Sequence, residues 1–100
     1  MKDFEFTEYY VTYGALLTDR QKKLVEGYYL YDLSLSELAE EFGGSRQSVY
    51  DAIKKARVIL SEYEEKLKIC ELRSKFSALA DDIKNDYPAV SEKIDSILRG

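Results

Sequence analysis

The sequence predicts an all-α fold, and three observations carry that prediction. Two capping boxes, Thr18 with Gln21 and Ser34 with Glu37, each precede apolar residues at helical spacing. A glycine pair, Gly43-Gly44, separates two such runs in the pattern of a helix-turn-helix. From Val49 onward apolar residues recur in steps of four and three as far as Cys70, the signature of an unusually long helix.

The first element is an amphipathic helix over Asp3 to Leu17, because Phe6, Tyr9, Tyr10, Tyr13, Leu16 and Leu17 form one stripe. Tyrosine stripes can stack on unpaired bases. Here the spacing is that of a buried face, and the flanks Asp3, Glu5 and Glu8 are acidic, so core packing is the better reading. Thr18 and Gln21 start a second helix that runs to about Leu30, with Leu24, Val25, Tyr28 and Tyr29 on its apolar side.

The helix-turn-helix occupies Ser34 to Arg57. Ser34 and Glu37 cap its first helix, with Leu33 and Leu38 as a hydrophobic staple around the box. Gly43 stops that helix by supplying a left-handed conformation that a Cβ resists. Ser45 is the N-cap of the second helix, whose Val49, Ile53 and Ala56 are placed to pack on Leu38, Ala39 and Phe42. Ala39 leaves room where the two helices cross.

The seam then continues through Leu60, Tyr63, Leu67 and Cys70. Two readings of Leu60, Tyr63 and Leu67 stand side by side: intramolecular packing against the first helix or the C-terminal segment, or a seam for a homodimer or a partner helix. Either way Tyr63 and Leu67 are expected to be poorly exposed. Near Leu72 the stripe changes phase to Ile69, Leu72, Phe76, Leu79 and Ile83, which predicts a bend around Ser74 and a helix to about Asn85. Tyr87-Pro88 marks the next boundary, and Ala89, Val90, Ile94, Ile97 and Leu98 make a last short helix. The expected organisation is a helix-turn-helix domain over residues 1–70, with a C-terminal helical extension over 71–100 that packs on the long helix.

Composition narrows the function. The formal net charge is −4, whereas duplex-binding domains are typically basic because affinity comes largely from neutralised phosphates. Between Ser45 and Leu60, however, Arg46, Lys54, Lys55 and Arg57 face only Asp51, a local balance of +3. In the usual docking of this motif the second helix enters the major groove while the first crosses the backbone. Ser45, Arg46, Gln47, Tyr50, Asp51 and Lys54 are then the positions available to base edges. Arg46 can pair with guanine and Gln47 with adenine, each worth about 1–3 kcal/mol of discrimination. Lys54, Lys55 and Arg57 are the phosphate contacts. Asp51 and the acidic cluster Glu37, Glu40 and Glu41 oppose such a contact.

Catalysis is not expected. There is no histidine, no phosphate-cradling glycine loop and no metal-ligand spacing, so no cofactor or metal is called for. Cys70 is the single cysteine and reads as an inert buried thiol. No apolar run approaches the about 18 residues of a spanning helix, and no leader precedes the first acidic residues, so a cytoplasmic location without direct membrane insertion is expected.

The order of a capped helix, a short loop and then the helix-turn-helix, LTDRQKKLVEGYYLYDLSLSELAEEF before SRQSVYDAIKKAR, resembles the C-terminal promoter-reading module of bacterial sigma factors, their region 4. Over Tyr13 to about Leu67 the combination of ALLTDRQ, SLSELAEEFG, SRQSVYDAIKKA and ILSEYEEKL resembles the YlxM family of small helix-turn-helix proteins. That resemblance implies an all-helical fold, no known enzymatic activity and a regulatory role in the signal recognition particle pathway, with the particle's protein or RNA as partners. The role rests on the family's genes lying beside those of the particle's protein subunit and receptor. Gly44 departs from the pattern of both families, which place an apolar residue there to staple against Val49. A glycine at that position is expected to loosen the turn.

Overall fold

The computed structural model describes residues 4–100, and all regular structure among them is helical. Six α-helices, α1 (Phe4–Tyr13), α2 (Asp19–Tyr29), α3 (Leu35–Phe42), α4 (Arg46–Leu67), α5 (Ile69–Ile83) and α6 (Pro88–Arg99), are joined by short turns. They form two compact units, one ending at Lys66 and one spanning Leu67–Gly100.

In the first unit α1 stops earlier than its apolar stripe. A 3-10 turn over Gly14–Leu16 replaces its last expected turn. The Tyr10 ring lies so close to Gly14 in this turn that a Cβ there would meet it at 2.9 Å. Tightening to three residues per turn rotates the next side chains about the helix axis, leaving Leu16 57% exposed and burying Leu17. Asp3, the expected start, lies outside the described residues. The tyrosines do build the core: Tyr13 is buried, stacks on Tyr63 at 5.9 Å and donates to Glu64 at 2.6 Å. Tyr10 is half-buried and donates to Glu26 at 2.6 Å; burial, then that carboxylate, pushes its phenol well above the usual range.

Both expected capping boxes form, at Thr18 with Gln21 and at Ser34 with Glu37. Leu38 is fully buried and seats on α2 at Gly27, where a Cβ would come 2.5 Å from its Cδ2. Ser34→Ala is expected to cost about 1 kcal/mol in a urea titration at neutral pH. The Ser34 backbone N–H and the Ser34 side chain hold the Glu37 carboxyl below the usual carboxylate range. A group depressed in the folded state contributes stability above its unfolded pKa and loses it as pH falls through the folded value. Glu37→Gln should therefore flatten the loss of stability on acidification.

Gly43 ends α3 at φ +88 and ψ 166, which is not the left-handed helical region but an extended one that only glycine populates easily. Gly44 comes next at φ +91. Ser45 caps α4, exchanging bonds with Ser48 at 2.9 and 3.0 Å. Along α4, Val49, Ile53, Ala56 and Leu60 are buried as the spacing requires.

Two expectations about the long helix fail. The break falls at Lys68, in the left-handed conformation with φ 54, while Ser74 lies well inside α5. The second apolar phase already begins at Ile69, so the chain turns before it rather than within it. Leu67, expected to be covered, is 54% exposed. In the second unit α5 and α6 pack on each other, and Pro88 takes the first position of α6 as expected. Their contact is built on small residues: Ala80 is fully buried, and buried Ser91 donates from Oγ to its carbonyl at 2.7 Å. No helix among the described residues is long and apolar enough to cross a membrane.

Candidate nucleic-acid interface

The first turns of α4 present one exposed row. Arg46, Tyr50 and Lys54 stand four residues apart and so lie one above another, with Val49 and Ile53 buried behind them. Tyr50 is 48% exposed. Leu35, the first residue of α3, lines a shallow groove with Arg46, Gln47 and Tyr50. Next to it a hollow of about 300 Å³ is lined by Tyr28, Leu35, Tyr50, Lys54 and Arg57. The exposed row thus borders an aromatic-walled recess where α2, α3 and α4 meet.

Ser45, Gln47 and Lys55 are also exposed, so six of the seven positions read from the sequence reach solvent on this helix. Their roles differ. Ser45 is committed to the cap. Gln47 donates from Nε2 to Asp51 at 2.9 Å, so bidentate pairing with a base requires that bond to open. Arg46 and Lys54 are the cations best placed on the exposed row.

Arg57 differs from the other six, being half-buried. Its guanidinium donates to the Tyr29 hydroxyl at 2.7 Å and lies 4.9 Å from the Phe6 ring centroid and 5.6 Å from that of Tyr29. It ties α4 to α1 and α2 and also lines the hollow beside Lys54. The proposed partner seam also comes apart: Leu60 is fully buried and Tyr63 stacks on Tyr13, leaving only Leu67 of the three largely exposed.

One residue that sequence reasoning missed sets the motif's turn. Arg20 donates to the Phe42 carbonyl at 2.8 Å and to the Gly43 carbonyl at 3.0 Å, satisfying the C-terminus of α3 with a cation where the helix dipole favours one. A Cβ at Gly44 would come 3.2 Å from the same guanidinium and 2.7 Å from Ser48 Oγ. The turn expected to be loosened by glycine is instead closed around Arg20. The only local hint was that a cation in the first turn of α2 opposes that helix's own dipole. On α3, Glu37, Glu40 and Glu41 are exposed and place negative charge on the helix that would cross a phosphate backbone.

Among the described residues no cluster of metal-ligating side chains occurs. Comparison with known proteins agrees with the geometry. A family model described as "Putative helix-turn-helix protein, YlxM / p13 like", UPF0122, matches residues 1–98. A UPF0122 protein of Halalkalibacterium halodurans is 46% identical over 88 residues, covering 86% of this chain and 81% of its own. One from Streptococcus equi subsp. zooepidemicus is 51% identical over 77 residues, covering 77% and 68%. Another, from Streptococcus gordonii, is 49% identical over 76 residues, covering 76% and 69%.

Proposed function

The chain belongs to the UPF0122 family of YlxM/p13-like helix-turn-helix proteins, and on that basis we propose that it is a regulatory protein that binds nucleic acid through α4. The observation that carries this reading is the row Arg46, Tyr50 and Lys54, exposed at the start of a helix whose opposite side is locked into the core. Cations on such a row meet phosphates and Arg46 can reach a guanine edge, while Tyr50 offers an apolar face to a thymine methyl or an unpaired base. The place of the protein in the signal recognition particle pathway, with the particle's RNA as one candidate ligand, rests on the family resemblance.

Fluorescence anisotropy of labelled duplex DNA and of signal recognition particle RNA tests this reading, using the wild type and Arg46→Glu/Lys54→Glu at two salt concentrations. With about three phosphate contacts, raising salt from about 50 to 200 mM should weaken duplex binding roughly 40-fold. The folded double variant should lose binding and most of that salt slope, and the ligand bound more tightly names the target class.

A second reading draws on the acidic α3 and the net charge of −4: the helix-turn-helix is then a scaffold for protein contacts. Absence of binding to both nucleic acids at the lower salt selects it. Purified particle components binding at about micromolar concentration would then support the accessory role.

A further inference from the structure

We propose that the α5–α6 hairpin is where two copies of this chain associate, with α5 of one copy lying antiparallel to α5 of the other. One face of the hairpin carries a groove of about 430 Å³ lined by Ile69, Leu72, Phe76, Ile94, Ile97 and Leu98, with Arg73 the one charged side chain in its wall. Its walls are wet: Leu72 is 55% and Ile97 77% exposed, and Phe76 is nearly half exposed, as are Leu79 and Val90 beyond the groove. Along α5 this face is Ile69, Leu72, Phe76, Leu79 and Ile83, an unbroken three-four spacing of the kind that packs helix against helix. Apolar patches this continuous are uncommon on monomers.

Charge identifies the occupant. Residues 67–100 hold six basic and six acidic side chains, so the hairpin is neutral while the rest of the chain carries the whole excess of −4. Two hairpins can approach without net repulsion. The charges of α5 and its caps are moreover unequal by end: Lys68, Glu71, Arg73 and Lys75 give a balance of +2 toward the N-terminus, and Asp81, Asp82 and Lys84 give −1 toward the C-terminus. On balance that opposes the helix's own dipole, which Glu71 in the first turn and Lys84 at the C-cap follow. The imbalance is what an antiparallel copy of the same helix complements.

The flank of the apolar face makes the orientation specific. Lys68, Lys75 and Asp82 are spaced by sevens beside Leu72 and Leu79, in the position that meets a partner helix's flank. Within one copy Glu71 pairs with Lys75 at 3.3 Å and with Lys68 at 3.8 Å. Antiparallel pairing about a two-fold axis at Lys75 brings Lys68 of one copy toward Asp82 of the other, twice, and sets the two Lys75 side chains near each other, each already paired with its own Glu71. Parallel pairing would set Lys68 against Arg73, two like charges. The interface is therefore two-fold and self-complementary. It moves self-association away from Leu60 and Tyr63, which are occupied, to a different helix pair.

Sedimentation equilibrium of the full chain tests the proposal. The wild type should weigh twice 11.6 kDa at about 100 µM, a concentration that would reveal even a modest dimer. Leu72→Glu and Ile97→Glu, both at exposed positions, should each give 11.6 kDa with unchanged helical circular dichroism. Lys68→Asp and Asp82→Lys should each raise the dimer Kd by about fivefold, and their combination should restore it. A monomeric wild type at that concentration overturns the proposal, since the groove is then closed within the chain or by a different protein. A dimer indifferent to both glutamate variants, or a charge swap no better than its worse half, overturns it equally.

Discussion

Leu38→Ala is expected to lower stability by about 3–5 kcal/mol, the upper part of the range for a buried leucine, and so to remove a large share of a total of about 5–15 kcal/mol. Leu38 is fully buried at the junction of α2 and α3, and its neighbour across the contact is Gly27, which has no side chain to relax into the vacated space. The loss should appear as a lower urea midpoint at unchanged slope. Gly27 makes the argument sharper. In the wild type Gly27→Ala should destabilise, because its methyl group would lie 2.5 Å from Leu38 Cδ2 in a packed core. In the Leu38→Ala background the same change should stabilise by roughly 1 kcal/mol, since the methyl group enters the cavity and alanine is the better helix former. Additive effects across the pair would mean that α2 and α3 do not pack through this contact.

Arg57→Ala is expected to destabilise the protein by about 2–4 kcal/mol while leaving the nucleic-acid affinity of the folded fraction within about twofold. A hydrogen bond donated by a charged group contributes about 1.5–3 kcal/mol, and a desolvated cation over an aromatic ring adds about 0.5–2. Arg57 makes both, to Tyr29 and to the Phe6 ring. Arg57→Lys should recover only part of the loss, because an ammonium lacks the flat fork that bonds one ring and lies over another. Thermal unfolding and anisotropy on the same samples separate the two effects. Undiminished stability together with lost affinity would return Arg57 to the phosphate-binding set beside Lys54.

A two-fold dimer would carry two copies of α4, and for duplex DNA that matches a target with two related half-sites rather than one. If α4 reads DNA as proposed, one copy would make about three phosphate contacts and two copies on one site twice as many, steepening the salt dependence accordingly. Comparing the salt slopes of the wild type and Leu72→Glu would therefore report on association and reading together. A slope that is the same in both would show that binding uses one copy at a time.

Where the helices begin and stop was legible in the sequence, because those signals act over three or four residues. The boxes at Thr18 with Gln21 and Ser34 with Glu37, the cap at Ser45 and the proline at the start of α6 are all local bonds or local sterics, and each appears where it was read. The core side of α4 was legible as well, since Val49, Ile53, Ala56 and Leu60 come from periodicity alone. The exposed row of the candidate site is the complement of that buried one, so Arg46, Tyr50 and Lys54 could be read too. Features that depend on partners remote in the chain were settled by packing. A pattern of charges does not say whether an arginine points to solvent, and Arg57 turned inward because Tyr29, 28 residues away, offered an acceptor between rings. Arg20 closed a turn 22 residues on, with nothing beside it in sequence to announce the contact. Local free energy is encoded residue by residue. The direction a long polar side chain takes is set by which buried acceptor or ring the finished fold brings within its reach.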